Sequence, residues 1–168
     1  MSASLKAKLL SLNHAIIFFG ATLYCGVLWS LQFFWFPTWH HLTIANYYDQ
    51  FVPETLAATS FFTIVVPIMF FCGLVMIISE WHSRLLWAAI VSFLCLTAAT
   101  IVGQALIIPV NKIIDAGVTD QAQLTSLLER WISLNQIRFA LLTAMWIVMM
   151  YYFLAKGKLL DTLGMPEK

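Results

Sequence analysis

Four long apolar runs, three of them holding no Asp, Glu, Lys or Arg and the fourth only Arg138, constrain this chain more than any other feature. They cover about residues 15–36, 56–79, 85–110 and 132–155, and the charge-free part of the last is 139–155. A bilayer core about 30 Å thick is crossed by roughly 20 apolar residues in helical form. In lipid, only a helix satisfies every backbone amide without a partner strand. The expectation is an all-α integral membrane protein, an up-down four-helix bundle forming a single domain over residues 1–168. Composition agrees: 61% of the chain is hydrophobic and 10% charged, against about 25% charged in ordinary soluble domains.

The connections set the topology. The segment "EWHSR" between the second and third runs is too short for anything but antiparallel neighbours. Pro37 is expected to end the first helix, and a longer link is expected over 37–55. The fourth helix is expected to begin before the bilayer, with Thr119 or Asp120 as its N-cap. Apolar residues recur at helical spacing from Leu124 through Leu127, Leu128, Trp131 and Leu134 to Leu142. From 121 to 155 the helix would be about 52 Å long, more than the bilayer needs. Pro67 is expected to kink the second helix, with Thr63 satisfying a freed backbone group.

Both termini fall on one side. That side carries Lys6, Lys8, Arg84, Lys156, Lys158 and Lys168; the other has Lys112 and Arg130, with Arg138 near its boundary. The excess of positive charge predicts cytoplasmic termini in a plasma (inner) membrane. The first apolar run is too long for a signal peptide and lacks a clear cleavage site. Trp35, Trp39, Tyr47 and Tyr48 fit one interfacial belt, and Trp81, Tyr151 and Tyr152 the other. The small residues Cys95, Ala99 and Gly103 share a face, suiting internal helix packing or a homo-oligomer contact.

Several function classes are excluded or thin. A net charge of +1 offers no basic face for nucleic acid. Cys25, Cys72 and Cys95 lie singly in apolar runs, so they read as small buried residues and no metal site is expected. His14 and His82 at one end would have to face a common cavity to hold a haem, and no cofactor is expected. Glu54, Asp49, Asp115, Asp120 and Glu129 read as solvated loop, cap or entrance residues. Transport would call for more spans or repeats.

The polar residues inside the spans are more informative. Thr97, Thr100, Gln104 and Asn111 share one face of the third helix, and Trp131, Asn135 and Arg138 one face of the fourth. Arg138 stands about 25 Å up its helix from Ala155. It either snorkels to headgroups or faces inward and lines a pocket. Inward, it would hold an anionic oxygen of a lipophilic aromatic or quinol-like molecule, with Gln104, Asn111 and Trp131 as ligand-binding neighbours. His40 or His41, just beyond the first helix, would supply an acid or base.

The segments "IIPVNKII" and "LLERWISLNQIRFALL", with Gly20, Gly26, Trp35 and Pro37 in the first span, resemble the anthrone-oxygenase-like family of small four-span membrane proteins. Pro109 and Asn111 match its Pro-x-Asn element, and Trp131 and Arg138 match the opening of its fourth span. Asn135 stands where the family often has His. The resemblance implies oxygenation without metal or flavin. A base forms the substrate anion and Arg138 stabilises its oxygen, so Arg138, Asn135 and His40 are the candidate catalytic residues. The alternative is a non-catalytic lipid- or quinone-binding module, or a small subunit of a larger membrane complex.

Overall fold

The computed structural model describes residues 3–157. Four helices are long and apolar enough to cross a membrane: α1 (Ser4–Trp39), α2 (Tyr47–Ser79), α3 (Leu86–Asp115) and α4 (Gln121–Lys156). They form an up-down bundle with no strand among the described residues. The described chain ends and the 80–85 turn share one end, called proximal; the 40–46 and 116–120 connections share the distal end. Lys158 and Lys168 lie outside the described residues.

Pro37 behaves differently from expectation, since α1 does not stop there, and α3 likewise runs on through Pro109. Each helix changes first to a π-helical stretch, Leu31–Trp35 in α1 and Val102–Ile107 in α3, and then resumes as α-helix through the proline. A proline lacks the N–H that the carbonyl four residues back would use. Hydrogen bonds five residues long, such as Phe36 N–H to Leu31 O and Ile108 N–H to Gly103 O, move the mismatch through one wide turn. The Thr38 hydroxyl also donates to Phe34 O at 3.2 Å and Trp35 O at 2.9 Å. Asn111 consequently lies inside a helical turn and not in a loop.

α2 begins at Tyr47, well before residue 56, and contains both Pro53 and Pro67. Pro53 and Asp49 are exposed, so the carbonyl that Pro53 leaves free at Asp49 can take a hydrogen bond from solvent. Thr63 does not serve Pro67: its hydroxyl donates to Thr59 O at 2.8 Å. α4 starts as expected, with Asp120 Oδ2 accepting from Gln123 N at 2.8 Å.

Two apolar clusters fill the bundle. The proximal one gathers Ile17, Ala21, Met69, Leu96, Ala99, Leu142 and Met145. The distal one gathers Phe36, Trp39, Phe51, Ile114, Leu124 and Trp131. Ala99 is fully buried and Gly103 lies against Arg138, so the small-residue stripe serves α3–α4 packing. α1 approaches α2 at Gly20, where an added Cβ would stand 2.7 Å from Met69 Cγ. Gly26, on the same helix, has nothing within 4 Å. Gly20→Val should therefore destabilise the protein by about 1–3 kcal/mol, read as a lower Tm in detergent, while Gly26→Ala leaves stability within about 0.5 kcal/mol of wild type.

The proximal end is held by a polar cluster. Glu80 is buried, and its Oε1 accepts from Tyr152 Oη at 2.8 Å and Lys156 Nζ at 2.6 Å. Tyr152 Oη also lies 3.2 Å from His14 Nδ1, and His14 Nε2 lies 3.2 Å from Ser79 Oγ. Both His14 nitrogens are therefore engaged, while His82 is exposed, so the two do not face one cavity as a haem would need. Burial by itself would raise the Glu80 carboxyl, but the bonds from Lys156 and Tyr152, and the lysine's charge, hold it below the ordinary 4.5. A depressed carboxyl stabilises the fold above its unfolded value and loses that contribution as pH falls through the folded one. Wild-type Tm should therefore drop as pH is lowered below about 4.5, and Glu80→Gln should flatten that drop while lowering Tm at pH 7.

Candidate functional site

A hollow of about 110 Å³ lies among all four helices, below the distal cluster. Leu31, Gly103, Gln104 and Ile107, which border it, belong to the two π-helical stretches. α2 contributes Thr55, Thr59 and Thr63, and α4 contributes Trp131, Asn135 and Arg138. The proline-driven wide turns thus form part of the wall.

Arg138 faces this hollow. Its Nη1 donates to Asn135 Oδ1 at 2.8 Å, and its Nη2 donates to the Tyr24 hydroxyl. The guanidinium carbon sits 5.2 Å from the Tyr24 ring centroid. Nε is buried without a partner, and no carboxylate among the described residues pairs with Arg138. Gly103 lies beside it, where an added Cβ would make only ordinary contact at 3.8 Å from Cζ and Nε. A cation inside the bundle whose Nε–H is unpartnered can donate to an oxygen that the protein does not itself supply.

The neighbours divide their work. Asn135 is fully buried; its Nδ2 donates to Trp131 O at 3.0 Å while Oδ1 receives Arg138. It therefore positions the guanidinium. Trp131 Nε1 donates to Asn111 Oδ1 at 2.6 Å, leaving the Asn111 Nδ2 donors without a protein partner. Trp131 does not stack on the guanidinium. It is wedged among Phe36, Trp39 and Phe51 at centroid distances of 5.8, 5.4 and 5.1 Å, forming an aromatic roof. The hydroxyls of Thr55, Thr59, Thr63 and Thr100 donate to carbonyls of their own helices, so toward the hollow they are acceptors.

The structure brings Gln104, Asn111, Trp131, Asn135 and Arg138 to one hollow, and leaves His40 and His41 out of it. Both histidines are exposed beyond Trp39, and neither borders the cavity. The roof closes the distal end, so the hollow is not open outward in that direction. Its exposed border residues are Thr63 of α2 and Gln104 of α3. Tyr24 was absent from the sequence expectations. A tyrosine at mid-span, away from either interface, needs a partner for its hydroxyl, and that was the available signal.

Glu54, Asp49, Asp115, Asp120 and Glu129 are all exposed, as expected. Among the described residues no group of three His, Cys, Asp or Glu side chains converges to hold a metal ion. Compared with known protein families, characterised proteins and solved structures, the chain matches none. Tyr24→Phe would strand one Arg138 donor, and should cost about 1–3 kcal/mol of stability in thermal unfolding, an effect absent when the same change is made in an Arg138→Met background.

Proposed function

We propose that this protein binds a lipophilic aromatic or quinol-like small molecule, with an oxygen of that molecule held by Arg138. The observation carrying this reading is the buried, unpartnered Nε of a guanidinium that has no carboxylate beside it. Asn111 adds a second set of unused donors on the same wall. The positive charge at the proximal end supports a plasma-membrane protein with cytoplasmic termini, and in that orientation the hollow lies near the outer face.

A catalytic version of this reading has its own support. The residues carrying the resemblance to the anthrone-oxygenase-like family, Asn111, Trp131 and Arg138, meet at one cavity, and Pro109 follows the π turn that forms its wall. In that version a substrate CH2 flanked by aromatic rings loses a proton, and its enolate oxygen rests on Arg138. The carbanion adds dioxygen and takes back the proton as a hydroperoxide. Loss of water, with cleavage of the O–O bond, then leaves a carbonyl. Since His40 is outside the hollow, Asn135 cannot accept a proton and no carboxylate or imidazole among the described residues borders the hollow, the proton in this version passes to water or hydroxide. Binding without turnover, as a quinone-binding module or a subunit of a larger complex, needs only the Arg138 wall.

Native mass spectrometry of the detergent-solubilised protein tests the binding reading. An aromatic or quinone adduct should accompany wild type and be lost from Arg138→Leu that still elutes as a folded species. Equal retention by both would remove Arg138 from the site, and a bare wild-type protein that takes up no added phenol or quinol would end the proposal. Co-purification of a large partner would favour the subunit version.

A further inference from the structure

The shape of the hollow says more about its ligand than the single cation does. Its volume of about 110 Å³ is below the roughly 150 Å³ of a cavity that takes up one benzene ring. At most one ring enters; fused rings or a long substituent must project out. The distal exit is filled by Phe36, Trp39, Phe51 and Trp131, packed largely edge to face. The proximal exit is filled by the core around Leu28, Leu96 and Leu142.

A sideways exit remains. α2 and α3 pack together on either side of the Val102–Ile107 π turn, but the turn itself barely touches α2. At that gap the exposed border residues are Thr63 and Gln104. Thr63 stands about 24 Å along α2 from Ser79, and Gln104 about 27 Å along α3 from Leu86. Arg138 stands about 27 Å along α4 from Lys156. All three therefore lie at one depth, just inside the far boundary of a core about 30 Å thick. Gln104 makes no hydrogen bond within the protein at this lipid-facing position. A polar side chain placed so is costly unless something polar passes by it.

The polar groups are also arranged by type. Arg138 Nε and Asn111 Nδ2 offer donors, while the Thr55, Thr59 and Thr100 oxygens, their own hydrogens already given to carbonyls, offer acceptors. A ring matching both needs an oxygen acceptor facing Arg138 and Asn111 and a hydroxyl donor facing Thr55, Thr59 and Thr100. We propose that the ligand is a single-ring hydroquinone-type head on an apolar tail, and that it enters from the bilayer through the gap between α2 and α3 at Thr63 and Gln104. This rests on the Arg138 binding reading above, and adds the head chemistry and the route.

The test uses the full chain in lipid nanodiscs, kept anaerobic, with three probes: benzohydroquinone bearing a decyl tail, its di-O-methyl ether, and the tail-less ring. Affinities are expressed per mole fraction in lipid, so that partitioning cancels. Wild type should bind the tailed hydroquinone at least about tenfold more tightly than its ether, which has no hydroxyl to donate. The tail should be tolerated, giving an affinity equal to or above that of the tail-less ring. The double variant Thr63→Trp, Gln104→Trp should slow association about tenfold or more, and Trp39→Ala in the roof should leave association unchanged. Equal affinity for hydroquinone and ether would overturn the head assignment. Rejection of the tail, or faster association in Trp39→Ala with no effect of the gap variant, would overturn the lateral route. If no hydroquinone binds while native mass spectrometry still shows an Arg138-dependent adduct, this inference fails and the binding reading survives. If neither is seen, both fail.

Discussion

Inside a bilayer each backbone amide must find its partner within its own helix, because lipid offers none. Proline breaks that rule wherever it sits away from the first turn. This chain places Pro37 and Pro109 in the distal thirds of two spans, and both helices respond with a wide turn just before the proline. Leu31, Gly103, Gln104 and Ile107 all come from the wide turns and all border the hollow. The backbone constraint thus shapes part of the wall, to which α2 and α4 add polar side chains.

The two sheltered charges are treated in opposite ways. At the proximal end Glu80 is answered by Lys156 and Tyr152, which tie α4 to the end of α2. His14 extends the same cluster to α1. That end is closed by interactions the chain makes with itself. Near the distal end Arg138 receives only a phenol and an amide, which orient it without neutralising it. A buried pair gains its Coulomb energy on folding; a lone guanidinium keeps most of its capacity for an anionic or electron-rich oxygen. The asymmetry separates a staple from a site, and it is visible without reference to any relative.

Much of the architecture was legible because hydropathy and helical spacing are strong signals. The four spans, the antiparallel pair around "EWHSR", the Asp120 cap and the shared face of Trp131, Asn135 and Arg138 all follow from residue spacing along single helices. The boundaries near proline were misplaced for a physical reason. Proline was read as a stop, but a helix that widens by one residue beforehand can carry on past it. Two central residues escaped because their partners are distant in sequence. Tyr24 meets Arg138 across 114 positions, and Glu80 meets Lys156 across 76. His40 was nominated by its nearness to the end of α1, yet the buried Trp39 beside it is the residue that turns inward.

Asn135 then has a clearer meaning than a missing histidine. An amide presents the same donor and acceptor at any pH near neutrality, so Asn135 brings no titration of its own to the contact with Arg138. A histidine in that place would compete with the guanidinium for protons and field, and would lend the site a titration of its own. With asparagine, the guanidinium is oriented by an amide on one side and by the Tyr24 hydroxyl on the other, and neither neutralises it.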